Sequence, residues 1–213
     1  MRRPVPLILS LLVVGVLAYL AYTYRSDFGL GRPDSSAGNG AAWPANPDLQ
    51  PGRVTWLTVD RSADGFKVDL PAGVSQTQIL AYTEAGVAEP VNMIQASVDP
   101  ETTYAVAWAD NPPVERAGDA DIEKILTMAR DGALGRTQTT LLLESRENRN
   151  GYPAREILGR NAHGGILNAR LILAGTRLYM LIAAFPAETA RNEADVRHFF
   201  ESFSLTAAAP TSR

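Results

Sequence analysis

Residues 178–185, Leu-Tyr-Met-Leu-Ile-Ala-Ala-Phe, restrict the fold of this chain more than any other stretch. They are apolar at odd and even positions alike. Successive side chains of a strand point to opposite faces. A strand over 177–185 therefore buries both faces and needs cover on each side. Hairpin signals precede it. Asn150-Gly151 suits the two positive-φ positions of a two-residue turn between strands at 139–147 and 152–160. His163-Gly164-Gly165 turns the chain into a strand at 166–173, and Gly175 turns it into 177–185. Three hairpins in series predict a four-stranded antiparallel meander.

Two amphipathic segments offer the cover. After Gly118, Asp119 is a plausible N-cap, and Asp121 and Glu123 suit the positive end of the helix dipole. Ile122, Ile125, Leu126, Ala129 and Ala133 form one apolar stripe, with Gly132 and Gly135 marking the end. After Pro186, Thr189 or Asn192 caps a second helix with the stripe Val196, Phe199, Phe200, Phe203. At ~1.5–3 kcal/mol per fully buried large side chain, that stripe anchors the helix by several kcal/mol. Upstream, short strands are expected at 56–59 and 66–70 about an Asp64-Gly65 turn, with further strands at 77–83, 91–98 and 104–109. The expected class is α+β: an antiparallel sheet with a C-terminal four-stranded meander and helices on both faces, an α/β/α sandwich, plus an N-terminal transmembrane helix.

That transmembrane segment rests on residues 4–24, a run without a charged side chain and about as long as the ~20 residues needed to span a bilayer. Tyr19, Tyr22 and Tyr24 gather at its far end, where aromatic rings favour the interface. Arg2 and Arg3 precede it, which predicts a cytoplasmic N-terminus and a periplasmic or extracellular domain. A cleaved signal has an apolar core of about 7–15 residues and a small-x-small site. This run is longer, and its one candidate site near Ala18 and Ala21 meets bulky Tyr22, so an uncleaved anchor is the expectation. The chain has no cysteine, which excludes disulfides, thiolate metal sites and a lipidated N-terminal Cys. The organisation reads as an anchor over 1–26, a Gly/Pro/Ser-rich linker over 27–53, a folded domain over 54–206 and a tail over 207–213.

Several short motifs carry a resemblance. They are Trp56; Asp64-Gly65-Phe66-Lys67-Val68-Asp69-Leu70-Pro71; Gly151-Tyr152-Pro153-Ala154-Arg155-Glu156; the segment 170–179 with Gly175 at its turn; and Phe199-Phe200-Glu201-Ser202-Phe203-Ser204-Leu205. In this order they resemble the PsbP-like α/β/α sandwich family, closest to its bacterial secreted or membrane-anchored members of unknown function. The resemblance covers 54–206. It implies a non-enzymatic module that docks onto a larger assembly, and it supplies no catalytic residues, cofactor or metal.

The residues themselves offer little chemistry. No Walker loop, dinucleotide fingerprint or Gly-x-Ser-x-Gly elbow occurs. Of the two histidines, His163 lies in a turn and His198 on the flank of the last helix. A hydrolase built on His163 and Glu156, with Ser145 as nucleophile, is the enzymatic alternative; a small-ligand or lipid-binding module is the other. Charge says more. Residues 84–123 hold nine acids against Arg116 alone, whereas 130–177 hold eight arginines against four acids. The arginine-rich meander is the expected partner-binding face, at Arg146, Arg155, Arg160 and Arg170. Cross-strand ion pairs are the competing account of the same charges. The formal net charge of -3 gives no global attraction to nucleic acid. The expected partners are the membrane, through the N-terminal helix, and an envelope protein.

Overall fold

The computed structural model describes residues 54–82, 88–110 and 118–206. The anchor, the linker and the C-terminal tail named above lie outside these residues. No helix among the described residues is long and apolar enough to cross a membrane.

Among the described residues ten strands and two α-helices follow in order: β1 (Trp56–Arg61), β2 (Phe66–Pro71), β3 (Ser75–Tyr82), β4 (Ala88–Ser97), β5 (Thr103–Asp110), α1 (Asp119–Arg136), β6 (Thr139–Arg149), β7 (Tyr152–Asn161), β8 (Ile166–Ala174), β9 (Arg177–Phe185), α2 (Glu193–Ser202) and β10 (Ser204–Leu205). Seven of the strands form one antiparallel sheet in the order β3-β4-β5-β9-β8-β7-β6. The expected meander is its second half. β9 is the central strand, which explains its apolar character on both faces. Leu178, Met180 and Ile182 pack with Leu126, Ala129 and Ala133 of α1. Tyr179, Leu181, Ala183 and Phe185 pack with Val196, Phe199 and Phe200 of α2.

The second face differs from expectation. Helix α2 does not cover it alone. β1, β2 and β10 form a separate three-stranded sheet. Phe66, Val68 and Leu70 of β2 enter the same core as α2, beneath a chain of edge-on rings that includes Phe66–Trp108 and Tyr104–Phe199. A fork from Arg177 fastens this small sheet to the large one. Its Nε and Nη2 each donate to Asp110 at 2.6 Å, and Nη1 donates to the Asp64 carbonyl at 2.9 Å.

Local chemistry sets the ends of the elements. Asn150 and Gly151 adopt φ of 54° and 88°, the conformation of a type I′ turn. Asn192 caps α2, its Oδ1 accepting from the Ala194 and Asp195 amides. Helix α1 is capped one residue earlier than expected. Gly118 is the N-cap, its amide donating to the Asp121 carboxylate at 3.2 Å. Gly132 and Gly135 do not end this helix. It continues to Arg136, and Gln138 at φ 48° makes the reversal.

Candidate functional site

The meander arginines do not form one face. Side chains alternate along β7 and β8, and the register places Arg155 opposite Arg146 and Arg170 opposite Glu156. Arg146 and Arg155 lie on the α1 side, where both pair with Glu123. Arg160 and Arg170 lie on the α2 side. Arg155 is only 2% exposed. It donates to Glu123 Oε2 at 2.6 Å and Glu144 Oε1 at 2.8 Å, and its Nε has no partner among the described residues. Arg170 is also buried, its guanidinium 4.7 Å from the centre of the Phe200 ring. It donates to Glu156 Oε2 at 2.8 Å and to the Phe200 carbonyl at 2.9 Å. Arg146 and Arg160 are exposed, paired with Glu123 and Glu188. Arg130, Arg149 and Arg177 also hold carboxylates. Cross-strand and strand-to-helix pairs thus take up the charge that makes the meander look like a basic surface.

Of the four arginines named from sequence, Arg170 borders a concavity. It opens between the Asn150-Gly151 turn and the C-terminal end of α2 and has a volume of about 270 Å³. Ile172, Phe200, Phe203 and Leu205 supply its apolar lining, and Arg149, Arg170 and Glu201 its charged groups. Glu201 bridges the two arginines, at 3.2 Å from Arg149 Nη1 and 3.2 Å from Arg170 Nη2. Burial opposes ionisation of Glu201, but the two guanidiniums outweigh it and hold the carboxyl below its ordinary range. Burial likewise disfavours the charged form of Arg149, but the hydrogen bonds and charges of Glu147 and Glu201 together outweigh it, raising its pKa. Sequence reasoning did not single out Arg149 or Glu201. The available signal was the acid directly after two buried aromatics in Phe199-Phe200-Glu201.

The histidines sit apart from this concavity. His163 is exposed in the turn between β7 and β8, where its amide donates to Asn161 Oδ1. Glu156 lies mid-strand on β7, about 17 Å of extended chain before the strand end, and is held by Arg170. The structure does not bring His163 and Glu156 together. His198 instead meets Asp69 of β2 at 3.1 Å and lies against Trp56, ring centroids 4.7 Å apart. The Asp69 amide donates to Ser202 Oγ, whose own proton goes to the Phe199 carbonyl. These contacts bind α2 to the small sheet, and no hydrogen bond joins Ser202 to His198 among the described residues. No group of three or more metal-ligating side chains occurs among the described residues.

No protein-family model matches the chain, and no curated protein does. Solved structures do. The solution structure of cyanobacterial PsbP (CyanoP) from Synechocystis matches with a TM-score of 0.51 at 12% identity, over 78% of this chain and 98% of that one. The Ran-binding protein Mog1p of Saccharomyces cerevisiae matches with a TM-score of 0.41 at 11% identity, over 72% of this chain and 96% of that one. At such identities the first likeness concerns the fold, which is PsbP-like.

Proposed function

We propose that this chain is a membrane-tethered binding module that docks on a protein partner in the cell envelope and performs no catalysis. The charge-free run at 4–24 and the Gly/Pro-rich spacer support the tether. Arg2 and Arg3 support a cytoplasmic N-terminus with the domain on the other side. The concavity at the end of α2 carries the binding reading. At about 270 Å³ it falls just short of the roughly 300–1,000 Å³ usual for small-molecule sites. Partly buried Phe203 and Leu205 beside the charged groups of Arg149, Arg170 and Glu201 make a small mixed surface into which one partner side chain can insert.

Crosslinking in intact membranes, followed by identification of captured proteins, tests this reading. Ser204 is exposed and lines the concavity, so Ser204→Trp fills it without removing a core contact. The variant is expected to fold and to lose its crosslinked partner. An unchanged pattern of crosslinks refutes the site.

A further inference from the structure

We propose that Glu201 is an internal stand-in for a carboxylate of the partner, and that the concavity takes an acidic segment: Asp or Glu beside a large apolar residue. This rests on the binding reading above and names the chemistry of the partner.

The three carboxylates around Arg149 and Arg170 are not equivalent. Glu147 holds Arg149 Nε at 2.7 Å and Glu156 holds Arg170 Nη2 at 2.8 Å. Those are ordinary lengths for a bond between ions, roughly 2.7–2.9 Å. Glu201 reaches both arginines at 3.2 Å. Its side chain is 52% exposed, against 25% for Glu147 and 34% for Glu156. It also occupies the last turn of α2, where the negative end of the helix dipole disfavours an anion. Glu201 is therefore the most loosely held and the most exposed of the three.

Rotation of that side chain into solvent leaves two guanidiniums side by side above Ile172, Phe200, Phe203 and Leu205. The arginines stay in place, because Glu147, Glu156 and the Phe200 carbonyl still hold them. An incoming carboxylate then takes the position Glu201 has left, and its apolar neighbour covers the floor. The exchange is like for like. Two arginines and three carboxylates meet at the site with or without the partner, and the displaced Glu201 is left to solvent. A basic segment would face guanidiniums in that position, and a neutral one would leave each arginine with only Glu147 or Glu156 in place of two carboxylates.

The test measures fluorescence polarisation of a labelled Gly-Gly-Phe-Glu-Gly amide against the full-length chain in detergent micelles. A Gly-Gly-Phe-Gln-Gly amide is the control. Glu201→Gln keeps the size of the side chain and removes its charge. Two ion pairs, one to half-exposed Arg149 and one to buried Arg170, compete with the probe, so this variant should bind the Glu peptide at least about 2- to 30-fold more tightly than the wild type. Binding of the Gln peptide should not change, and adding Arg149→Gln should cancel the gain. Equal or weaker binding of the Glu peptide by Glu201→Gln, with an unchanged near-ultraviolet spectrum, overturns the proposal. If Ser204→Trp still abolishes the envelope crosslinks in that case, only the acidic assignment falls. If those crosslinks persist, the binding reading falls with it.

Discussion

Arg155 and Arg170 are both buried arginines of the meander, yet their removal should have different consequences. In Arg155→Met the aliphatic stem is kept and the guanidinium is lost. Glu123 then still holds Arg146 at 3.0 Å, and Glu144 still holds Arg130 at 2.7 Å. Neither carboxylate is orphaned, and the unpartnered Nε disappears with the head group. Removing one partner of a buried pair usually costs ~3–5 kcal/mol. Here the second arginines and the lost unsatisfied donor reduce the loss to about 1–2 kcal/mol. Arg170→Met is different. Glu156 is left with no second ion pair among the described residues, and the Phe200 carbonyl loses its charged donor. Glu156 is partly solvated, so a loss of about 2–4 kcal/mol is expected. Urea unfolding of the protein in detergent, followed by circular dichroism, measures both. Expected midpoint shifts run in the order Arg170→Met greater than Arg155→Met at constant m. The reverse order, or a loss above about 4 kcal/mol for Arg155→Met, would show that Arg130 and Arg146 do not hold the remaining carboxylates.

Gly151 has φ of +88° and nothing within 4 Å of where a Cβ would lie; Gly151→Ala should cost about 1 kcal/mol through the backbone alone, read as a lower melting temperature with unchanged partner crosslinks. Asn192→Ala removes the α2 cap and should cost about 1 kcal/mol, with earlier hydrogen exchange at Ala194 and Asp195. Lys67 and Ser62 hydrogen bonds lower the Asp60 pKa to about 2. Its ionised form therefore favours the fold above the ordinary carboxylate pKa of 3.8, and that contribution disappears as pH falls toward 2. An NMR titration should show the low midpoint, and Lys67→Ala should raise it toward 3.8.

The meander was legible because its signals are local. Asn150-Gly151 is among the few pairs that fit a two-residue turn with φ > 0 at both positions, and strand β9 is apolar on both sides whatever its neighbours are. The pairing of β5 with β9 joins residues 67 apart, Asp110 and Arg177, and nothing local announces it. The small sheet was hidden for the same reason, since β10 is two residues long and acquires strand character only from β2. Leu141-Leu142-Leu143 masked the alternation of β6, because the register shifts there and exposes the second and third leucines. The expected arginine face failed on a simpler point. Arg155 and Arg170 are opposite in parity on paired strands, and their carboxylate partners come from helices on opposite sides of the sheet. Counting charge along the chain could not reveal that division. Likewise Glu201 gains meaning only from Arg149 and Arg170, 52 and 31 residues earlier.

The three-stranded sheet also sets an order of events during synthesis. β2 leaves the ribosome early, but β10 and the serine that bonds the Asp69 amide arrive 133 residues later. At roughly 5–20 residues per second, that is a wait of several seconds or more. Throughout it, Phe66, Val68 and Leu70 lack α2, which completes their cover. The hairpins of β6–β9 close short loops and fold at once, while closure of the second face waits for the end of the chain. A chain stalled or cut before residue 193 would keep its meander and display an uncovered aromatic face, a natural target for chaperones and proteases.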